Sequence, residues 1–187
     1  MRSFIPLFVL PMVAAAPALA TEIVPVSAFR SVQLRGGGEV TVVAAPAQRV
    51  TILEGSSQYT RMQVQRDGEL RIDACVERCP QHYRLRIEIQ SPRVTGLSVS
   101  GGGLIATRGR FALQSNLSVA VNGGGRIDAR SVQAGTVSAA VKGGGEAVVN
   151  ARNLLAAAIN GGGMVSYVGR PQIQSAIHGG GLVRSFE

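Results

Sequence analysis

The sequence predicts an all-β protein, a parallel β-helix or β-roll-like solenoid capped by an N-terminal, mostly antiparallel β region. Three observations lead to this fold class. The triplet Gly-Gly-Gly recurs six times, apolar and polar residues alternate around each triplet, and the chain is rich in glycine but has no Trp. Alternation with a period of two indicates strands with one buried face. Repeated glycine triplets are unfavourable in helices.

Residues 1–20 have the features of a secretory signal peptide. Arg2 supplies a positive charge, residues 4–16 form an apolar run, and Ala18-Leu19-Ala20 is a small-x-small cleavage pattern. The apolar run is too short to span about 30 Å of hydrocarbon. We therefore expect cleavage after Ala20, a periplasmic or secreted protein, and no transmembrane segment after cleavage.

Residues 21–92 contain short alternating segments that are separated by turn residues such as Gly68 and Ser91-Pro92. This pattern is typical of a small β region. We expect it to cap the first coil of the solenoid and to cover its open edge. Residues 93–187 would form the glycine-cornered solenoid itself, so that residues 21–187 make one continuous structural unit.

The last five triplets begin 22, 20, 18 and 18 residues apart, which is the spacing of a solenoid. The alternation continues through each triplet, so its first and third glycines are expected to face inward at a corner without room for a Cβ atom. These structural corners are Gly101, Gly103, Gly123, Gly125, Gly143, Gly145, Gly161, Gly163, Gly179 and Gly181. A flattened two-sheet roll and a three-sided helix both fit this period.

Four short segments occur in a distinctive order before and between the triplets. They are VSAFR at 26–30, GELRI at 68–72, VTGLSVSG at 94–101 and YVGRP at 167–171. This order resembles the head GIN domain family of putative auto-transporter adhesins, bacterial exported proteins of unknown function, over residues 25–184. The resemblance implies an adhesin-like protein. The family corner usually reads Gly-Ser-Gly-Asp, whereas here the middle residue is Gly and the Asp is replaced. The replacements are Leu104, Arg126, Glu146, Met164 and Leu182.

Cys75 and Cys79 are the only cysteines, and they lie in a turn between two predicted strands. Because an exported protein meets an oxidising compartment, we expect a structural disulfide between them. Two alternatives fit the sequence less well. A zinc site with His82 would lack a fourth ligand, and a redox-active pair would normally read Cys-x-x-Cys. No metal and no cofactor are therefore expected.

The positive charge is concentrated in the second half of the chain. Residues 21–92 carry nine arginines and eight acidic residues, whereas residues 93–187 carry nine basic and three acidic residues. Five arginines follow a triplet by five to seven residues, namely Arg108, Arg110, Arg130, Arg152 and Arg170. Stacking would align them as a ridge able to bind a phosphate- or carboxylate-rich polymer. Alternatively, they only keep the β stack soluble.

Catalysis is not expected from the acidic residues. Glycoside hydrolysis requires two carboxylates at a set separation. Residues 93–187 offer only Asp128, Glu146 and Glu187, and the first two occupy different positions relative to their triplets. The calcium-binding repeat Gly-Gly-x-Gly-x-Asp also lacks its Asp at every corner. No catalytic residues are therefore assigned.

The sequence thus predicts a non-catalytic module that acts by binding or assembly at the bacterial cell envelope. Its partner would be an unknown envelope protein or an anionic glycan, and exposed strand edges would allow a homo-oligomer. A nucleic-acid partner is not expected, given the export signal and the lack of interleaved aromatic residues. The alternatives are an anionic polysaccharide binder that uses the arginine ridge and, less favoured, a carbohydrate-active enzyme.

Overall fold

The computed structural model describes residues 21–186, which form an all-β chain. The predicted signal peptide, residues 1–20, and Glu187 lie outside the described residues. The strands are β1 (Glu22–Val24), β2 (Ser31–Arg35), β3 (Glu39–Ala44), β4 (Arg49–Glu54), β5 (Arg61–Val64), β6 (Glu69–Asp73), β7 (Arg86–Ser91), β8 (Gly96–Gly101), β9 (Leu104–Arg108), β10 (Gln114–Gly123), β11 (Arg126–Lys142), β12 (Glu146–Asn160), β13 (Met164–Val168), β14 (Gln172–His178) and β15 (Leu182–Ser185). Over this range, no helix has the length and apolar character needed to cross a membrane.

The strands form one mixed sheet that curls around a common core. One series of paired strands runs β5-β6-β2-β8-β10-β11-β12-β14, and the other runs β1-β4-β7-β3-β9-β11-β12-β13-β15. The long strands β11 and β12 join the two series. Their C-terminal halves pair in the first series and their N-terminal halves in the second. Pairing is parallel in both series except at β5, β4 and β1.

Within the N-terminal region, residues 21–92, three of the five strand pairs are antiparallel, namely β1–β4, β4–β7 and β5–β6. The strands β2 and β3, in contrast, pair in parallel with their neighbours on both sides. The reason is the first triplet, residues 36–38, which turns the chain from β2 into β3. A Cβ atom on Gly101 would lie 2.7 Å from the carbonyl oxygen of Gly36, so this first triplet stacks against the second.

The core consists of aliphatic side chains that stack in register from strand to strand. Val99, Val121, Val141 and Ile159 occupy equivalent positions in β8, β10, β11 and β12, and each is at most 2% exposed. Burial of such a side chain contributes about 1.5–3 kcal/mol to folding. Identical spacing between strands therefore lets small β-branched residues build a continuous core without aromatic residues at its centre.

The triplets turn the chain between the two series, and the three glycines differ in what they require. The first glycine of all six triplets has a positive φ, between 94° and 122°. At the third position, a Cβ atom on Gly145 would lie 2.4 Å from Cγ1 of Val121. At the middle position, a Cβ atom on Gly144 would meet nothing within 4 Å. Packing therefore demands glycine at the first and third positions only.

The predicted disulfide between Cys75 and Cys79 is present. It lies within the loop 74–85, which connects β6 to β7. Between the later strands, a glycine triplet makes the equivalent connection. The loop is fastened to the first triplet coil at both ends. Ala74 N donates to Arg35 O at 3.0 Å, and Glu39 N donates to Leu85 O at 2.8 Å. Among the described residues, no group of three or more His, Cys, Asp or Glu side chains is placed to hold a metal ion.

Candidate functional site

The last two strands leave the C-terminal end of the sheet open. Within residues 21–186, β14 pairs only with β12 and β15 only with β13. Ile173 and Ile177 of β14 are 42% and 41% exposed, whereas their register partners in β12, Leu155 and Ile159, are 0% and 1% exposed. These isoleucines continue the core column but have no further strand to cover them. The end therefore presents apolar side chains together with unpaired backbone groups.

The N-terminal end of the sheet is closed in a different way. The antiparallel strands β5 and β4 cover β6 and β7, and β1 covers β4. The outermost strands β5 and β1 have only four and three residues, and β5 begins with the exposed Arg61. Short edge strands with charged residues discourage further pairing. The two ends of the sheet are therefore unequal, and the C-terminal end is the better surface for adding a strand.

The arginines of the predicted ridge are all exposed, but the pairing does not align them in a single column. Arg152 and Arg170 stand at equivalent positions in neighbouring coils, because the strand pairs on both sides of them are in register. Arg130 lies in a bulge, where the register of β11 shifts between Asp128 and Gln133. Arg108 ends β9, and Arg110 lies in the loop that follows.

Arg130 is the most constrained arginine of this group. Its Nε donates to Oδ1 of Asp128 at 2.9 Å and its Nη2 donates to Oδ2 at 2.5 Å. Its guanidinium carbon lies 4.4 Å from the centre of the Phe186 ring. Burial raises the pKa of Asp128, but hydrogen bonds from the side chain and backbone of Arg130 outweigh burial, and the net pKa is lowered. Asp128 therefore stays ionised, and Arg130 donates hydrogen bonds to both of its carboxylate oxygens.

Glu146, the other acidic residue considered for catalysis, is also paired. It lies opposite Arg126 in the β11–β12 ladder and accepts a hydrogen bond from that guanidinium. Asp128 and Glu146 thus each hold a different arginine. The Arg126–Glu146 pair links neighbouring coils, whereas the Asp128–Arg130 pair lies within one coil.

A second group of arginines was missed at the level of sequence. Arg35, Arg61 and Arg71 lie on the outer face of β2, β5 and β6, around the single carboxylate of Asp73. They border a cavity of about 570 Å³. The three residues are far apart in the chain, and only the pairing order β5-β6-β2 brings them together. In the sequence, each of the three is marked only as a charged residue at an outward-facing position of an alternating segment.

Residues 113–171 match the model of a family described as putative auto-transporter adhesin, head GIN domain. The matched range begins just before β10 and ends just before β14, so it contains three of the stacked triplets. The family resemblance predicted from the sequence is thereby confirmed.

Solved structures with similar folds include a putative adhesin from Bacteroides fragilis NCTC 9343. It is 18% identical, with a TM-score of 0.54, over 89% of this chain and 96% of that chain. A putative cell adhesion protein from Clostridium sporogenes ATCC 15579 is 16% identical, with a TM-score of 0.48, over 89% and 98% of the two chains. At such identities the first likeness shows a shared fold alone. None of the curated proteins matches this chain.

Proposed function

We propose that this chain, whose residues 113–171 match the head GIN domain model of putative auto-transporter adhesins, is an exported, non-catalytic module that acts by binding or assembly at the bacterial cell envelope. Parallel pairing and stacked triplets support interpreting its fold as a β-solenoid with glycine corners. The disulfide fits an oxidising compartment. The observation that carries the proposal is the open C-terminal end at β14 and β15.

The occupant that best fits this end is a second copy of the same chain. Strand β14 reads QIQSAIH, which is symmetric in its core-facing residues about Ser175. If two copies of β14 pair antiparallel about Ser175, Ile173 of each copy lies opposite Ile177 of the other. Directly opposed aliphatic side chains stabilise antiparallel pairs. Strand β14 also carries no Asp, Glu, Lys or Arg, so the pairing opposes no like charges.

The size of the end face is consistent with a weak but specific dimer. Seven residues of β14 span about 23 Å, and two sheets pack about 10 Å apart with side chains extending on both outer faces. Two such faces bury on the order of 1,000 Å², the lower limit of specific interfaces. Because the opposite end is capped, pairing stops at a two-fold symmetric dimer and does not continue into a filament.

The acidic residues support a non-catalytic role. General acid–base catalysis needs a carboxyl group that is free to exchange a proton with its substrate. Asp128 and Glu146 are each held by an arginine, and the pKa of Asp128 is lowered. Turnover of a polysaccharide that is abolished by Asp128→Asn would contradict this part of the proposal.

A second candidate function is binding of an anionic polysaccharide through the arginine ridge. The alignment of Arg152 with Arg170 favours it, and Arg110 is exposed near the same turns. Retention of the mature chain on an acidic polysaccharide column, lost at high salt, would support this function. Loss of that retention after Arg110→Gln, Arg152→Gln and Arg170→Gln together would assign it to the ridge.

The dimer is tested by sedimentation equilibrium on residues 21–187 over a range of protein concentrations. We expect a reversible dimer for the natural sequence. Ile177→Lys places a charge opposite Ile173 of the other copy in the proposed contact and should yield a monomer. Gln174→Lys is the matched control, because Gln174 lies on the same strand but faces outward and should leave the dimer intact.

Thermal unfolding of both variants serves as the folding control, since both side chains are already exposed. A natural chain that stays monomeric at every concentration would contradict the proposed assembly. So would equal behaviour of the two variants.

A further inference from the structure

The outer face of the N-terminal strands carries an unbalanced group of charges. The pairing sets Arg61, Asp73, Arg35 and Ser100 side by side across β5, β6, β2 and β8. In the next row, Gln63, Arg71 and Gln33 lie side by side. These side chains face outward, because the residues between them on each strand belong to the core.

One carboxylate, that of Asp73, stands among three guanidinium groups in this cluster. Oδ1 of Asp73 lies 3.4 Å from Nη1 of Arg35 and 3.6 Å from Nε of Arg71, and Arg61 stands directly opposite Asp73 in the β5–β6 ladder. Arg61 forms no salt bridge within the described residues. Glu69 shares this face of β6 but forms no salt bridge with the three arginines in that part of the chain. The cluster therefore has a net charge of about +2 at neutral pH.

One donor of the same cluster is held only loosely by Asp73. Nε of Arg71 is buried, and Oδ1 of Asp73, at 3.6 Å, lies just beyond hydrogen-bond distance, whereas the Arg71 side chain as a whole is 36% exposed. Beside it, the cavity of about 570 Å³ is lined by the three arginines, Gln63, Asp73 and the backbone of Gly36 and Gly37. The cavity thus offers excess donors and space for an acceptor.

We propose that this cavity binds an oxyanion, the carboxylate or sulfate group of an acidic saccharide. The planar guanidinium fork matches the oxygens of such a group and can donate two parallel hydrogen bonds to it. Gln63 and Ser100 stand beside the arginines, where they can hydrogen-bond sugar hydroxyl groups. Among residues 21–186, no aromatic side chain lines the cavity to stack a nucleotide base. This inference is independent of the proposed dimer and of the arginine ridge.

Asp73 has two opposing effects on anion binding in this cluster. The aspartate holds two of the arginines in place, but its charge competes with an incoming anion. Its replacement by asparagine keeps the shape of the side chain and raises the net charge of the cluster by one. Asp73→Asn should therefore strengthen anion binding, whereas loss of a merely structural ion pair would produce no gain in binding.

The test is isothermal titration calorimetry on residues 21–187 with a glucuronate oligosaccharide, inorganic sulfate, and a neutral glucose oligosaccharide of equal length. We expect the glucuronate oligosaccharide to bind more tightly than sulfate, and the neutral oligosaccharide not to bind. Arg71→Gln and Arg61→Gln should each weaken binding about tenfold, as expected for losing a charge-assisted hydrogen bond. Asp73→Asn should tighten it several-fold, roughly the effect of one unit charge at such a distance.

The control for general electrostatic attraction is the variant Arg49→Gln/Arg93→Gln, which removes two exposed positive charges that belong neither to the cavity nor to the ridge. It should leave the affinity for glucuronate unchanged at moderate salt. An unchanged affinity in Arg71→Gln and Arg61→Gln, with normal thermal unfolding, would overturn the proposal. Binding of glucuronate no tighter than sulfate would overturn the assignment to a saccharide. Equal binding of the neutral oligosaccharide would also overturn the proposal.

Discussion

Gly143 lies directly against Gly123, so that a Cβ atom on Gly143 would stand 2.8 Å from the carbonyl oxygen of Gly123. The same relationship recurs from the first triplet to the last, at 2.7 or 2.8 Å. Contacts this close leave no space for any side chain. The stack of glycines therefore sets how closely neighbouring coils approach, and it allows the parallel ladders on both sides to stay in register.

The three glycines of one corner should respond differently to alanine. Gly145→Ala forces a Cβ atom to within 2.4 Å of Val121 and 2.5 Å of the Gly125 carbonyl oxygen, and it should lower the free energy of unfolding by about 2–3 kcal/mol or more. Gly144→Ala is the matched control, because its Cβ meets nothing, and its effect should stay within about 0.5 kcal/mol. Urea unfolding measures both. Equal losses would contradict the packing described for this corner.

The Asp128–Arg130 pair should stabilise the protein in a pH-dependent way. The pKa of Asp128 is lowered in the folded state, so its contribution is fully present above the ordinary aspartate pKa of 3.8 and is lost as pH falls through the lower folded value. Arg130 is solvent-exposed, which limits the gain. At pH 7, Asp128→Asn should cost about 0.5 kcal/mol in urea unfolding. The difference should shrink as the pH falls below 3.8, and a difference that does not shrink on acidification would contradict this explanation.

The disulfide should support the protein without being required for its fold. Cys75 and Cys79 close a very short loop, for which the chain-entropy model predicts about 2 kcal/mol. The double variant Cys75→Ser/Cys79→Ser should therefore remain folded with a lower unfolding free energy. Far-ultraviolet circular dichroism and urea unfolding test this. Loss of the β spectrum would show that the loop 74–85 organises the first coil more strongly than this model allows.

The sequence is most informative where structure is local and repeated. Alternation of apolar residues predicts the strands, and the Gly-Gly-Gly triplets mark where the chain turns between the two series of strands. The disulfide between Cys75 and Cys79 is equally predictable, because the two cysteines are only four positions apart. Each of these features depends on residues that are near one another in the chain.

Features that depend on strand order were not predictable in the same way. The strands β2 and β8 are neighbours although about 60 residues separate them. The regular spacing of the last five triplets therefore does not predict that the first triplet belongs to the same stack. The cluster of Arg35, Arg61 and Arg71 exists only because β5, β6 and β2 pair in that order. The bulge at Arg130 likewise breaks an alignment that constant spacing would suggest.

The proposed assembly is tested most directly by a cysteine at its centre of symmetry. In an antiparallel β14–β14 pair, the two copies of residue 175 lie directly opposite, about 4.5–5.5 Å apart between Cα atoms. This separation suits a disulfide. Ala176 is the matched control, because its two copies lie on a diagonal about 7–8 Å apart, too far for a disulfide without backbone movement.

The measurement is the yield of disulfide-linked dimer for Ser175→Cys and Ala176→Cys in a glutathione redox buffer, by non-reducing electrophoresis and intact mass. We predict nearly complete cross-linking of Ser175→Cys and little of Ala176→Cys. A Ser175→Cys variant that stays monomeric, or that cross-links no faster than Ala176→Cys, would contradict assembly through the open strand β14.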